Sequence, residues 1–459
     1  MSLEGPKALP LAADRELAHY LVSALATPST AKIVILGHNA LRLKASLEER
    51  GACNVQIAET QSNGQTHWIL TNGNGSSRAL FDAIVVNEVL GGLGDDDIDR
   101  LLATILAHLK PKGLMFLRED THPKKQPQQR DLAGYTAVLD VFRAQQDDQL
   151  QSFQFLWARP LRSTVHSSCS WSDFCWLLCK KTEPLSESAR AQGPPPKSTF
   201  RAFLDQQQYS LSGIQMYEYI FGEGFISPGG ADQNRAFVKR IGLRPGMRVL
   251  DIGCGVGGSA FQMADEFGVH VLGVDLSSNM IKTAVDKANL HKNTLVDFVI
   301  GDATSNVDFP EGSFDVVYSR DCLIHIPGKQ ALFKRFQKWL RPGGVVLLTD
   351  YNVGEKERFS EPFQKYLDNR QYALRPVQHY RKALEACEYQ NVEAVDLTER
   401  FREILLTELQ RAKQNKNIFL QKYSEANFDH LTEGWLNKLD YIEAGDHKWA
   451  LYRAQKKAL

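Results

Sequence analysis

The stretch from Val249 to Gly258 constrains the fold of this chain more than any other part of the sequence. It predicts a short buried strand ending at Ile252, a glycine-rich turn, and a helix over residues 259–267. Glycine suits such a turn because it tolerates positive φ and lets a ligand come close to the backbone. The next apolar strand ends at Asp275, where a carboxylate can accept hydrogen bonds from two ribose hydroxyls. The pair predicts an α/β domain with a site for a nucleoside cofactor.

The glycine spacing alone leaves the identity of the nucleoside open. Gly253, Gly255 and Gly258 also satisfy the G-x-G-x-x-G pattern of dinucleotide sites, so NAD remains an alternative. Asp251 favours S-adenosylmethionine, because its carboxylate can pair with the ammonium of a methionine group and would repel a pyrophosphate.

Composition limits the partners that we expect. The chain has 459 residues, enough for two or three domains, and its formal net charge is zero. A balanced charge argues against a nucleic-acid partner or a membrane surface, and no apolar run is long enough to span a bilayer. The seven cysteines show no zinc-ligand spacing, so we expect no metal and a reducing, cytoplasmic location.

The second half of the sequence repeats the first. Residues 81–86 match 314–318, and 109–117 match 340–348, each of the latter pair containing a Pro-Gly or Pro-Lys-Gly turn. Alternating strands and helices predict a parallel sheet in each half. We therefore predict two copies of one Rossmann-like α/β fold, over residues 1–181 and 201–459, joined by a proline-rich linker over 182–200.

The first copy lacks an open glycine turn. Its equivalent segment, Leu36 to Arg42, places bulky side chains where a cofactor would meet backbone. We interpret this copy as a scaffold or partner domain, with an altered ligand site as the alternative. Asp95, Asp96 and Asp97 are interpreted as an acidic helix start and not as a metal site.

Further polar residues follow the later strands of the second copy. Asp302 is placed either to receive an adenine amino group or to cap a helix. Asp321 and His325 end the next strand, at the sheet edge where α/β folds bind ligands, and would share a face if the segment is helical. A lone histidine is as readily structural as catalytic, and the sequence does not decide between the two.

Two segments flank the predicted cofactor fold. Residues 207–230 are unusually aromatic, which indicates either a lid over the site or a helix packed on the domain. After Tyr351 we predict a long helical insertion rich in Arg, Lys and Tyr, side chains that suit a phosphate group.

Several of these pieces resemble the phosphoethanolamine (phosphobase) methyltransferases. They are Gln208-Tyr209, Tyr217 to Gly222, Ile226 to Gly230, Tyr318 to Asp321 with His325, and Asp350-Tyr351. The resemblance covers Gln207 to the C-terminus, and the tandem arrangement is similar to the second enzyme of the nematode-type two-enzyme pathway. It implies two class I methyltransferase folds in tandem, the first degenerate and the second catalytic. It also implies S-adenosylmethionine-dependent conversion of phosphomonomethylethanolamine through phosphodimethylethanolamine to phosphocholine.

The resemblance also implies a role for individual residues. Tyr209 and His325 form the catalytic pair. The residues implied to bind the cofactor are Ile226, Ser227, Asp251, Gly253, Gly255, Asp275, Leu276, Asp302, Ala303, Ser319 and Arg320. Those implied to bind the substrate are Gln208, Tyr217, Asp321, Tyr351, Arg370, Tyr372 and Lys438.

Two alternatives remain beside this prediction. One is a methyltransferase for another small molecule, such as a sterol or an amino acid, and the other is a non-enzymatic binding or scaffold protein. We expect a small-molecule phosphobase as the partner and a monomer as the assembly.

Overall fold

The computed structural model describes residues 12–62, 66–69, 80–121, 130–146, 149–161, 173–184, 199–305 and 307–458. The chain divides into two compact units, Met1–Phe203 and Leu204–Leu459. Most of the predicted linker, residues 185–198, lies outside the described residues.

The first unit contains a six-stranded sheet in the order β2-β1-β5-β6-β9-β8, with β7 paired to β8 and β3–β4 forming a separate hairpin. Its strands are β1 Lys32–Gly37, β2 Asn54–Ile57, β3 Glu59–Ser62, β4 Thr66–Ile69, β5 Phe81–Asn87, β6 Leu109–Asp120, β7 Arg143–Gln146, β8 Gln149–Pro160 and β9 Asp173–Pro184. Its helices are Ala12–Ala24, Ala40–Glu48, Asp95–His108, Leu132–Val141 and Phe200–Phe203, with a single 3-10 turn over Leu90–Gly92. The three aspartates at 95–97 begin a helix, as interpreted from the sequence.

The second unit contains a seven-stranded sheet in the order β12-β11-β10-β13-β14-β16-β15. Its strands are β10 Arg248–Ile252, β11 His270–Asp275, β12 Val296–Ile300, β13 Phe314–Arg320, β14 Leu340–Val353, β15 Gln390–Asp396 and β16 His447–Gln455. All neighbours are parallel except β16, which runs antiparallel to both β14 and β15.

Helices of the second unit lie before, between and after these strands. They are Leu211–Phe221, Gly230–Val238, Gly258–Phe267, Ser278–Leu290, Lys329–Trp339, Glu361–Arg370, Val377–Glu385, Thr398–Gln414, Lys416–Phe419 and Glu425–Glu443, with a π-helical turn at Leu204–Gln208 and a 3-10 turn at Leu323–His325. Apolar side chains of β10, β13 and β14 and of helix Lys329–Trp339 form one core, in which Leu250, Val317 and Trp339 are almost wholly buried. This packing fixes the carboxyl ends of β10, β11 and β13 at one edge of the sheet.

The two units repeat each other down to individual backbone angles. Glu88 after β5 and Asp321 after β13 both have positive φ, 56° and 51°. Asn39 after β1 has a φ of 55°, as does Gly255 after β10. These matches confirm that one fold occurs twice.

The predicted helical insertion after Tyr351 also contains a strand that the sequence did not predict. The strand β15 lies within it and separates helices 361–370 and 377–385 from the three helices over 398–443. None of the side chains of β15 is fully buried. Its sequence accordingly shows no regular alternation of apolar and polar residues, the pattern that predicts a strand.

Candidate active site

The glycine turn after β10 is shaped by two contacts. Gly253 has a φ of +72°, and a Cβ atom there would lie 2.0 Å from Sγ of Cys322, so only glycine fits. Oδ2 of Asp275 accepts a hydrogen bond from the backbone N–H of Gly255 at 2.9 Å, and Oδ1 accepts one from Ser277 N–H at 2.9 Å. Burial raises the pKa of Asp275 to about 6. The carboxylate therefore ties the turn to the end of β11, as the predicted ribose site requires.

Asp251 lies at the end of β10, before this turn, and one of its carboxylate oxygens has no hydrogen-bond donor among the described residues. The residue is 1% exposed, and the oxygen concerned is Oδ2. Burial first, and then the charge of Asp275, raises the pKa of Asp251 to about 8. A buried carboxylate of this kind gains free energy from a nearby cation, so the site fits the ammonium of a methionine group.

The loop over 226–230 is held from two sides. Arg320, at the end of β13, donates to the carbonyls of Gly230 at 2.9 Å and Pro228 at 2.6 Å. Glu408, on helix 398–414, accepts from Gly229 N–H at 2.7 Å. Gly255 lies against Ile226 of this loop, since a Cβ on that glycine would be 3.3 Å from Ile226 Cδ1. The loop thus covers the glycine turn.

Two other predicted cofactor residues, Ser319 and Asp302, lie at the same sheet edge and already form hydrogen bonds within the protein. Ser319 is buried and donates to the carbonyl of Ile252 at 2.8 Å. Asp302 already accepts from Thr304 N–H and Oγ1, at 2.8 and 2.6 Å, and from Ser305 Oγ at 2.8 Å. These bonds close a local turn, and none of the described helices begins at Asp302, so the helix-capping interpretation is not met. An adenine amino group would have to share the carboxylate.

Ser227, Leu276 and Ala303 contribute backbone to the same edge. Ser227 accepts from Gly230 N–H at 3.2 Å. The carbonyl of Ala303 accepts from Arg335 Nε at 2.9 Å. Backbone N–H of Leu276 is a further hydrogen-bond donor to Asp275.

His325 lies on the short 3-10 turn after β13. Its Nδ1 atom is 3.3 Å from the carbonyl of Gln371, and its Nε2 atom is 3.4 Å from Nε2 of Gln208. Because a carbonyl only accepts, Nδ1 carries the proton and Nε2 holds the lone pair. Burial lowers the pKa of His325 to about 4, so the imidazole is neutral at physiological pH. A neutral imidazole that carries its lone pair on Nε2 can act as a general base.

Asp321 and His325 do not share a helical face. The 3-10 turn spans only Leu323–His325, and the left-handed backbone of Asp321 directs its carboxylate into the core. Its Oδ1 atom accepts from Thr349 Oγ1 at 2.9 Å and Trp449 Nε1 at 2.7 Å. Its Oδ2 atom is buried without a hydrogen-bond partner among the described residues, which suits a cationic ligand.

The segment before helix 211–221 connects Tyr209 to both His325 and the cofactor turn. Gln208 donates to the Tyr209 hydroxyl at 3.0 Å. The amide of Asn279 donates to the carbonyls of Asp205 and Tyr209, each at 3.0 Å. Since Asn279 follows Asp275 on the adjoining helix, the predicted lid is fastened directly to the cofactor-binding loop.

Three predicted substrate residues, Tyr217, Arg370 and Tyr372, lie near the imidazole. The ring of Tyr372 packs edge-on against His325, with centroids 5.0 Å apart. Arg370 hydrogen-bonds to Tyr217, and although burial opposes its charge, Tyr372, Tyr217 and Tyr366 together raise its pKa.

Lys438 and Tyr351 complete this pocket. Nζ of Lys438 lies 5.7 Å from the ring centroid of Tyr351. Burial, and then the charge of Arg370, lowers the pKa of Lys438 to about 8. Two cations and several phenols thus lie close enough to shift one another's pKa values, near a neutral imidazole. Such a set can bind a phosphate monoester.

The first unit places other groups at the equivalent positions. Gly92 stands where the second unit has His325, since each ends the 3-10 turn that follows a matching strand, β5 in the first unit and β13 in the second. Arg118 is buried near the end of β6, 3.2 Å from Asp14, 3.3 Å from Glu88 and 2.8 Å from Asp173. This ion-pair network lies at the carboxyl end of β6, the counterpart of β14 in the second unit.

Glu408, Asn279 and Asp205 were not among the predicted site residues. Each acts through a contact between distant segments: Glu408 and Gly229 are 179 residues apart, and Asn279 and Tyr209 are 70 apart. No local pattern in the sequence marks such pairs.

Among the described residues there is no cluster of three or more metal-ligating side chains. None of the described helices is long and apolar enough to cross a membrane.

Two family models match parts of the chain. Residues 249–344 match the family model described as Methyltransferase domain, and residues 11–184 match Phosphoethanolamine N-methyltransferase 2 N-terminal. The chain is 40% identical over 348 residues to phosphoethanolamine N-methyltransferase 2 of Caenorhabditis elegans, covering 75% of this chain and 77% of that protein. It is 36% identical over 385 residues to phosphoethanolamine N-methyltransferase 1 of Zea mays, covering 82% and 74%.

A solved structure matches nearly the whole chain. It is phosphoethanolamine N-methyltransferase 2 of Haemonchus contortus, in complex with phosphomonomethylethanolamine and S-adenosylhomocysteine. The TM-score is 0.81 at 34% identity, and the match covers 97% of this chain and 100% of that one. With its repeated class I methyltransferase fold and these relatives, the chain belongs to the phosphoethanolamine N-methyltransferase family.

Proposed function

We propose that this chain transfers methyl groups from S-adenosylmethionine to the amines of phosphomonomethylethanolamine and phosphodimethylethanolamine, producing phosphocholine. The observation that carries the proposal is the position of His325 against Tyr372, which adjoins Arg370, with Lys438 in turn near Arg370. A base beside a cationic, phenol-lined pocket matches a substrate with an amine at one end and a phosphate at the other.

His325 prepares the substrate amine for reaction. The amine is mostly protonated near neutrality and has no free lone pair in that form. Nε2 of His325 accepts one ammonium proton while Nδ1 stays bonded to Gln371. Phosphate bound near Arg370 and Lys438 adds negative charge, which raises the pKa of the imidazole and strengthens the base when substrate is present.

The remaining residues position the substrate. Asp321 offers to the amine end its Oδ2 atom, which has no hydrogen-bond partner among the described residues and lies 3.9 Å from Nε of Arg320. Tyr209 and Gln208 close the pocket over His325. Bound S-adenosylmethionine supplies the methyl group from its sulfonium. The pocket's contribution is to hold the amine in line with that group and to exclude water.

The first unit acts as a non-catalytic domain in this proposal. Gly92 supplies no base, and the buried Arg118 network lies at the carboxyl end of β6, the counterpart of β14. The boundaries proposed for the units are those of the sequence prediction, residues 1–181 and 201–459.

The substrate class is tested by acceptor choice. The full chain is given S-adenosylmethionine labelled in the methyl group with phosphomonomethylethanolamine, a sterol or a free amino acid as acceptor. We expect label only in the phosphobase, and inhibition of that reaction by phosphocholine. Labelled sterol or amino acid, with none in the phosphobase, would show that the substrate class is wrong. Absence of S-adenosylhomocysteine binding in calorimetry would leave only a non-enzymatic role.

A further inference from the structure

A buried polar cluster lies behind the turn that carries His325. Lys329, the first residue of helix 329–339, is only 1% exposed, and its Nζ atom donates to the carbonyl of Leu323. Nζ also lies 4.0 Å from Oδ2 of Asp350 and 5.2 Å from the ring centroid of Tyr380. The Tyr380 hydroxyl donates to the same carboxylate. Burying a lysine is costly, so its contact with one backbone carbonyl of the catalytic turn calls for a cause.

The first unit shows how the same turn is held without a lysine. Glu119 lies on β6 at the position that Asp350 has on β14, and it accepts directly from Val89 N–H at 2.7 Å and Leu90 N–H at 2.6 Å. In the second unit a cation lies between the acid and the turn and bonds to a carbonyl instead. The lysine therefore accompanies the copy that has an imidazole on the turn.

We propose that Lys329 is a positioning residue for His325: its ammonium fixes the Leu323–His325 turn through the Leu323 carbonyl and so places a positive charge on the turn that carries the imidazole. The proposal deepens the function proposed above and rests on it for the role of His325 as base. The next carbonyl of the turn, that of Ile324, accepts a hydrogen bond from Ala373 N–H at 2.6 Å. The carbonyls of both Leu323 and Ile324 are therefore hydrogen-bonded. The turn is thus held between helix 329–339 and the loop that carries Tyr372.

Electrostatics support the same assignment. After burial, the charges of Lys329 and Arg370 lower the pKa of His325, while its contact with Gln371 raises it. The groups that face His325 or Lys329 from the surrounding elements are Gln208, Cys322, Asp350, Arg370, Tyr372, Arg375, His379 and Tyr380. Removing the ammonium should therefore make His325 easier to protonate.

The test is a titration of His325 in the full chain with the substitution Lys329→Met. Protein labelled with carbon-13 in histidine gives one ring signal that is absent from His325→Ala and so belongs to His325. We expect its midpoint to rise by roughly one pH unit in Lys329→Met, and kcat to fall at least tenfold with little change in cofactor affinity. Lys334→Met is the matched control, because Lys334 is an exposed lysine on the same helix, and it should leave both values unchanged.

A second variant separates positioning from folding. Lys329→Met/Asp350→Asn removes the carboxylate charge that the single change leaves buried. Low kcat and a raised His325 midpoint in this variant support the proposal. Recovery of wild-type kcat, or an unchanged midpoint in either variant, would overturn it. The titration needs no substrate, so its result does not depend on whether phosphobases are the acceptors.

Discussion

The imidazole of His325 has a defined tautomer and a low affinity for protons before substrate arrives. The carbonyl of Gln371 fixes the proton on Nδ1, and burial keeps the ring neutral. The base therefore needs no proton loss of its own at any pH above about 5, since its pKa is about 4. An acid limit of activity near neutrality would come from the substrate phosphate and not from this residue.

Replacing His325 by alanine should remove the base and leave the cofactor turn intact. We expect His325→Ala to lower kcat by about 10²–10⁴-fold, the usual contribution of a general base, with unchanged affinity for S-adenosylhomocysteine. Steady-state kinetics and calorimetry measure the two quantities. His379→Ala is the control, since His379 is an exposed histidine on the neighbouring helix. Turnover close to that of the control would remove His325 from the mechanism.

Lys438 carries a pH dependence of its own. Its pKa of about 8 means that the side chain is charged below pH 8 and loses its proton as the pH rises through that value. We expect KM for the phosphobase to increase above pH 8 in the wild type. In Lys438→Ala it should be raised at pH 7 by about tenfold and should lose this alkaline rise, with the cofactor KM unchanged. A change confined to cofactor affinity would contradict the phosphate role, and Lys413→Ala, an exposed lysine on helix 398–414, is the control.

At the scale of elements, the strand–turn–helix over residues 248–267 is the part that the sequence predicts best. The helix predicted over 259–267 is observed over Gly258–Phe267, a difference of one residue. The agreement is close because the glycines and the apolar run are local signals. The same local evidence could not predict β15, whose side chains are only partly buried. It also could not predict that Glu408 holds Gly229, because that contact depends on how helix 398–414 packs.

The shape of the glycine turn gives a prediction at this scale. Gly253→Ala should weaken cofactor binding by tenfold or more, because the new methyl group would overlap the side chain of Cys322. Gly246→Ala is a close control: Gly246 also has positive φ, +81°, but nothing lies within 4 Å of its Cβ position. Calorimetry on both variants separates the steric effect from the backbone strain, which should cost about 1–2 kcal/mol of stability in each. Equal loss of cofactor affinity in the two would show that the contact with Cys322 is unimportant.

At the scale of the molecule, the same fold occurs twice, with different side chains at equivalent positions. The second unit keeps an open turn, a neutral base and a pocket with two cations. The first unit keeps the backbone but has Gly92 in place of the base and an ion-pair network around Arg118. The duplication and the loss of the glycine turn were predicted from the sequence, whereas the Arg118 network was not, because its three carboxylate partners come from separate parts of the chain. The site residues were predicted through the family resemblance, and their roles remain predictions until variants are measured.

Product analysis with each phosphobase tests the central claim most directly. The full chain is incubated with excess S-adenosylmethionine and phosphoethanolamine, phosphomonomethylethanolamine or phosphodimethylethanolamine, and the products are separated and identified by mass, with His325→Ala as the blank. We expect phosphocholine from the second and third substrates and no product from phosphoethanolamine. Methylation of phosphoethanolamine would contradict the proposed steps, and absence of phosphocholine in all three reactions would contradict the assignment of this chain as a phosphobase methyltransferase.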